Sequence, residues 1–486
     1  MQYLRTLSLV CLAAAVIFGA GMIGAERYGR KEKKNITERA AGLFVPCILF
    51  WGILYSLVFV PFTAPDEYAH FASAYRLSNQ MMRQKAVDDE GMVLVREGDA
   101  AQLWTDLDEE TYRDVYGRFF AMDPGRERIA YGHRTMDVAG HAYLPQAVGI
   151  TLGRLLSLGQ VLTIYLGRLC NLAFFALCAW LSIRLAPFGK MAFFGTAMLP
   201  MTLELVSSLS YDAFAIGLGM LYTAYTLGLA YDKPSVGRRE VLTLGLLLAL
   251  LAPCKMVYIP LAGLCFLIPK EKFGDKKTYR KAAAAVAACM VIGVLAINLD
   301  KILVYFQGTE DPVEWAGGVA GYSISVVLSH PLRAAGVIAR SLIRQFPAYA
   351  GSMAGSSLGW LAYEVDETLI LFLLVWTVFA ALPVGTGKGE AAVMPVRHRL
   401  WSLTFCLASV AATLLIMLLS WTPLDSPVVT GVQGRYFLPI LPLALLACRS
   451  RRLRFAGTAT GLEGILAGGY HLANLLVIQG ILGSIG

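Results

Sequence analysis

The chain has 486 residues, 57% of them hydrophobic and 16% charged, with a formal net charge of +8 and a mean hydropathy of +0.58. Apolar residues fall in long blocks rather than at amphipathic spacing, which excludes an ordinary soluble domain and implies an all-α polytopic membrane protein. The basic excess gathers at segment ends, so the expected partner is a lipid bilayer and no nucleic-acid partner is expected.

A membrane-spanning helix needs roughly 20 apolar residues. Blocks of that kind run near 5–24, 41–62, 161–183, 191–209, 213–231, 283–299, 368–386, 400–420 and 459–481, with shorter runs at 143–158, 241–253, 256–268 and 437–448. The length criterion gives roughly 11–13 membrane helices. The first block carries its basic residues after its apolar core, at Arg27, Arg30, Lys31, Lys33, Lys34 and Arg39. A cleaved signal has the reverse order, so this block reads as a retained span with residues 26–39 in the cytoplasm.

The second block runs into Pro61-Phe62-Thr63-Ala64-Pro65-Asp66-Glu67-Tyr68-Ala69-His70-Phe71. Ionisable groups are costly in hydrocarbon, so a cluster at a membrane edge is either a water-facing anchor or a functional site. Thr63 and Asp66 have capping-box spacing, which would use Asp66 only to satisfy free backbone N–H groups. On a helix, Asp66 and Glu67 would stand four and three residues from His70. That pattern suits a general base oriented by a neighbour, or a divalent cation held by Asp66, Glu67 and His70.

Residues 63–142 carry more acids than bases, including Asp88-Asp89-Glu90 and Asp108-Glu109-Glu110, and read as a first external loop with a juxtamembrane helix. Arg184 and Lys190, Arg238 and Arg239, the run Lys270 to Lys281, Arg397 and Arg399, and Arg449 to Arg454 mark cytoplasmic ends. For this parity to hold, 143–158 must be re-entrant or interfacial, and 241–268 a short helical hairpin with Pro253 and Lys255 at its tip. Two further external regions follow, about 300–367 and 421–435. The first contains a basic amphipathic stretch with Arg333, Arg340 and Arg344. With no linker or repeat visible, residues 1–486 read as a single integral domain. The nine cysteines lie in or beside apolar segments and read as buried free thiols.

Asp212, after Ser207-Ser208-Leu209-Ser210-Tyr211, is either a helix cap or a second acid on the same side as Asp66. Arg168, Lys255, Arg340, Arg344 and Arg435 are candidate anion binders, because guanidinium fits phosphate bidentately and ammonium acts as a point charge. Arg435 also fits a plain interfacial Arg-Tyr anchor.

Several strings together resemble a bacterial multi-pass family known as domain of unknown function 2142. They are Pro65 to Phe71, His141-Ala142-Tyr143-Leu144-Pro145-Gln146, Leu166-Gly167-Arg168-Leu169-Cys170-Asn171, Leu199 to Ala213, Lys255-Met256-Val257-Tyr258, Ser329-His330-Pro331-Leu332, Leu358-Gly359-Trp360 and Gln433 to Pro439. The resemblance covers about residues 41–450 in order. It implies a layout similar to GT-C glycosyltransferases, bundles with external juxtamembrane helices that transfer sugars from polyprenyl phosphate at the outer face. From the resemblance, Asp66 would be the catalytic base with Glu67 beside it, and Lys255 and Arg435 would bind the donor phosphate. His70, Tyr143, Gln146, Arg168, Asn171, Ser210, Asp212, Tyr258 and Tyr436 become further substrate-binding candidates. The chain departs from the family pattern in the early block 5–24, the long loop 81–140, and a displaced acid at Glu364 or Asp366.

The expectation is thus an inverting glycosyltransferase in the bacterial cell membrane, its site facing outward. The donor would be a polyprenyl-phosphate sugar, the acceptor an envelope glycan, lipid or protein, and no cofactor is assumed. A transporter or flippase of lipid-linked glycans, with Arg168, Glu204 and Lys255 along a path, is the main alternative. A polymerase of lipid-linked sugars is a third.

Overall fold

The computed structural model describes residues 2–31, 36–100, 104–123, 125, 127–307, 313–385, 389–455 and 462–485. It is an all-α polytopic bundle. Among the described residues, seven helices are long and apolar enough to cross a membrane: Tyr3–Ala25, Arg39–Val58, Gln160–Leu185, Asp212–Tyr231, Lys276–Asp300, Val396–Trp421 and Leu462–Ile485. Three shorter apolar segments, Met256–Leu267, Glu367–Ala381 and Gly434–Cys448, accompany them.

The remaining apolar blocks take other forms. Block 191–209 is split into the helices Lys190–Ala197 and Pro200–Val206, because Pro200 has no N–H to continue a helix and can only begin one. Residues 144–155 form the short helix Leu144–Leu155. It lies so close to the helix Gln160–Leu185 that a Cβ at Gly149 would stand 2.1 Å from the Leu166 carbonyl. The helix Arg238–Leu251 leads through Pro253 and Lys255 into the 3₁₀ segment Met256–Leu267.

The bundle has two distinct ends. At one, Lys272 Nζ donates to the carbonyls of Leu229, Ala230 and Lys233, and the Glu390 carboxylate accepts from the Gly189 N–H. Arg449 packs over Phe188, and Arg399 donates to Ala447. The basic clusters near 184–190, 270–281, 397–399 and 449–454 therefore share one end. Residues 32–35 of the early basic stretch, including Lys33 and Lys34, lie outside the described residues.

The opposite end carries 59–66, the loop to Tyr143, and the turns near 207, 253, 360 and 430. Within that loop, Leu94–Arg96 pairs antiparallel with Arg128–Ala130, and Arg96 grips the fully buried Asp99 at 2.7 and 2.9 Å. Tyr112 and Tyr116 donate their hydroxyls to the carbonyls of Val58 and Leu57, where the second helix ends. The helix Pro331–Ala354 is amphipathic. It buries Ala334, Val337 and Ser341, while Leu332 and Ile343 are exposed, and Arg333 and Arg340 donate to the Leu424 and Pro427 carbonyls. The helix Gln2–Lys31 lies at the periphery, joined to the last helix through Ser8 and Gln479. All nine cysteines are free, and Cys448 is exposed.

Candidate functional site

The turn after the second helix is unusual in its backbone. Phe62 and Asp66 both have positive φ, 69° and 56°, and so do Trp360 and Leu361 at 36° and 62°. These are non-glycine residues in a region that costs them energy. The two pairs meet: Trp360 Nε1 donates to the Phe62 carbonyl at 3.1 Å, and its ring stacks on Tyr68 at 5.5 Å. Left-handed backbone thus concentrates around Asp66.

The capping account of Asp66 does not hold. Thr63 Oγ1 donates to the Val60 carbonyl, and Asp66, although it precedes the helix Glu67–Met81, makes no side-chain cap bond. Its carboxylate is partly exposed and has no hydrogen bond or ion pair among the described residues. Because Asp66 lies outside the helix, it does not share a helical face with His70.

Glu67 is occupied differently. It is fully buried, pairs with Arg168 Nε at 2.7 Å and Nη2 at 2.5 Å, and accepts from the N–H groups of Phe62 and Leu209. Arg168 spends its other donors on the Ser56, Phe59 and Val60 carbonyls. All the lone pairs and protons of this pair are therefore used within the protein. The geometry makes it a clasp at a helix end and leaves it no capacity for substrate.

His70 is buried. Its Nδ1 lies 2.7 Å from the Tyr143 hydroxyl, and its ring packs edge-on to Tyr211. Burial, opposed in part by Asp212 and reinforced by Arg435 and Lys255, pushes its pKa down to about 3, so it is neutral. Its Nε2 has no partner among the described residues. Among those residues no three His, Cys, Asp or Glu side chains gather as a metal-binding group. Glu67 faces Arg168 and His70 faces Tyr143, so the trio with Asp66 forms no ligand set.

The second cluster is cationic. Asp212 is the first residue of the helix Asp212–Tyr231. It accepts from Lys255 Nζ at 2.6 Å and lies 3.6 Å from Arg435 Nε. Lys255 Nζ also sits 4.2 Å from the Tyr436 ring centroid and 4.9 Å from that of Tyr211, in cation–π contact with both. Arg435 Nε is buried without a hydrogen-bond partner among the described residues. Gly434 makes the approach possible, since a Cβ there would stand 2.1 Å from the Tyr349 carbonyl. Tyr258 donates to the Tyr436 carbonyl at 2.8 Å and fixes this segment.

A cavity of about 250 Å³ opens on the cluster. Lys255, Tyr211 and Tyr436 form one side and Thr413, Ile416 and Met417 another. Another cavity, about 540 Å³, lies at the basic end between Pro187, Tyr231 and Arg451 and touches none of the candidates. Tyr143 stands between the two clusters: its hydroxyl lies 2.7 Å from His70 Nδ1 and its ring centroid 5.9 Å from that of Tyr211.

Gln146 and Asn171 have structural contacts. Their amides donate to the carbonyls of Leu209 and Ser210, and of Ser208 and Ser210, respectively. Ser210 Oγ accepts from the Asp212 N–H. These three residues shape the turn that presents Asp212. Asp366 caps the helix Glu367–Ala381 through Thr368 and Leu369, and Glu364 lies in a short strand with an exposed side chain. Tyr211 was not singled out from the sequence. Its position between Ser210 and Asp212 was the available signal.

The model of a family described as predicted membrane proteins, DUF2142, matches residues 49–444. The chain belongs to that family. The match takes in every residue of both clusters and begins after the helix Gln2–Lys31, which is peripheral in the fold. No curated protein and no solved structure matches the chain.

Proposed function

We propose that the chain is a bacterial membrane glycosyltransferase of GT-C type, which moves a sugar from a polyprenyl-phosphate donor to an acceptor at the outer face. The observation that carries this reading is a partly exposed, unpaired Asp66 carboxylate, held on strained backbone. It stands at the same end of the bundle as the Lys255–Asp212–Arg435 cluster, in which Asp212 and Arg435 are buried and Lys255 borders a cavity with an apolar wall. A polyprenyl phosphate needs a cationic head site and an apolar flank, and Lys255 and Arg435 beside Ile416 and Met417 supply both. The basic residues at the other end support an outward orientation for this one.

In the proposed reaction the acceptor oxygen attacks the anomeric carbon and gives its proton to Asp66. The bond from that carbon to the phosphate oxygen breaks, and polyprenyl phosphate leaves with the electron pair, stabilised by Lys255 and Arg435. Phosphate is a good leaving group, so the protein's contribution is a base, a cation clamp and positioning. Supplying purified protein with candidate polyprenyl-phosphate sugars and an acceptor, and measuring release of the lipid phosphate, tests the reading. Donor left intact by the wild type, under conditions where the wild type moves it across vesicles, would sink it.

That outcome would favour the second reading, a transporter of lipid-linked glycans. The broken segment at Pro200, the 3₁₀ segment Met256–Leu267 and the turn at Gly359, whose N–H donates to the buried Glu204 carboxylate, are features that transport paths use.

A further inference from the structure

The helix Glu67–Met81 has one face that neither cluster uses. Beyond His70 it presents Ser73, Arg76, Leu77 and Gln80, which recur at helical spacing. These residues line a second cavity of about 250 Å³, completed by Thr135, Gly140 and Tyr143. Val138 lines both this groove and the cavity at Lys255, so one side chain separates them. The inner end of the groove is Tyr143, whose hydroxyl is bonded to His70.

The chemistry of the groove is polar and cationic. Arg76 is exposed and has no ion pair or hydrogen bond among the described residues, and neither the Gln80 amide nor the Thr135 hydroxyl has a partner there. Two buried arginines nearby are engaged within the protein. Arg96 is paired with Asp99, and Arg154 donates to Ser78 and Gln84. An arginine left free at the mouth of a groove with open amide and hydroxyl groups is suited to a ligand that carries hydroxyls and a negative charge.

We propose that this groove binds an anionic sugar acceptor, one bearing a carboxylate or a phosphate, with the anionic group on Arg76 and the reacting hydroxyl end toward Tyr143. The assignment rests on the sugar-transfer reading and deepens it. The acceptor would enter along the Glu67–Met81 helix and reach past Val138 to the donor and Asp66.

The test uses the full chain in nanodiscs and ligand-observed NMR titrations with glucuronic acid, glucose 6-phosphate and glucose. Wild type is expected to bind at least one acidic sugar roughly tenfold or more tightly than glucose, the scale of one charge-assisted contact. Arg76→Gln should erase that margin with an unchanged thermal unfolding midpoint, since the side chain supports nothing else. Gly140→Leu should weaken all three sugars, because a Cβ there meets no atom within 4 Å and a larger side chain would enter the groove. An acid preference that survives Arg76→Gln, or no preference in the wild type, overturns the inference. If acidic sugars bind through Arg76 but no donor is ever cleaved, the transfer reading alone falls. If donor is cleaved and neutral acceptors serve as well as acidic ones, the groove assignment alone falls.

Discussion

Glu67 and Arg168 form a two-point ion pair, Oε1 to Nε at 2.7 Å and Oε2 to Nη2 at 2.5 Å, with neither side chain exposed to solvent. Removing one partner leaves a buried charge alone, at a cost of about 3–5 kcal/mol. Arg168→Met and Glu67→Leu should each cut the yield of folded protein and lower the unfolding midpoint. The double variant should recover part of the loss, because two apolar side chains need no partner. Stable, inactive single variants would instead make Glu67 a participant in the chemistry.

Asp66 should behave in the opposite way. Its carboxylate has no partner to lose, and asparagine tolerates the left-handed backbone. Asp66→Asn should therefore stay within about 0.5 kcal/mol of wild-type stability. Its rate of donor cleavage should fall by about 10²–10⁴, the usual contribution of a positioned base. Thermal unfolding and single-turnover release of polyprenyl phosphate read the two effects separately.

On the proposed reading, Lys255 would tie stability to donor binding. Lys255→Met leaves Asp212 with Arg435 at 3.6 Å as its remaining cation and should cost about 1–3 kcal/mol. Adding Asp212→Leu and Arg435→Met, which removes the whole charged cluster and leaves no buried charge alone, should restore much of that stability and leave donor affinity low. Binding of a fluorescent polyprenyl phosphate, measured beside unfolding midpoints, checks this. Donor affinity that returns with stability would remove Lys255 from the phosphate site.

His70 predicts a pH effect. Its pKa in the folded protein is about 3, below an ordinary histidine value of about 6.5. The unfolded chain therefore binds the proton first as pH falls. The stabilisation from a neutral His70 is fully present above about 6.5 and is lost progressively toward 3, at up to about 1.4 kcal/mol per pH unit. Carboxylates titrate at the lower end of that window, so the informative quantity is the difference between wild type and His70→Gln. The variant's unfolding midpoint should depend less on pH, and parallel curves would refute the assignment.

The bundle and the grouping of its basic ends were legible in the sequence, because block length and charge sign are local properties. Asp66, Asp212, Lys255 and Arg435 were also legible, since each is an ionisable residue near the end of an apolar block. What the sequence could not supply was partnership. Glu67 looks like Asp66's companion by adjacency, yet the left-handed turn at Asp66 parts the two, and Glu67 pairs with Arg168, 101 positions away. Gln146 and Asn171 have the amides of sugar-binding residues, but those amides brace the carbonyls of 208–210. The groove at Arg76 went unseen because its opposite wall, 135–143, comes from loop residues with no periodic pattern. Block 191–209 has the length of a span, and only Pro200 signalled the break.

The end of the second helix has a consequence for the order in which the molecule is built. The carbonyls of Ser56, Phe59 and Val60 are satisfied by Arg168, which follows them by 112, 109 and 108 residues. Those of Val58 and Leu57 wait for Tyr112 and Tyr116, 54 and 59 residues later. During synthesis this helix emerges with an unfinished terminus, which closes only when the loop has folded back and a third crossing has been laid beside it. Asp66 sits just beyond that closure, so the carboxylate acquires its fixed place only once the surrounding crossings are assembled.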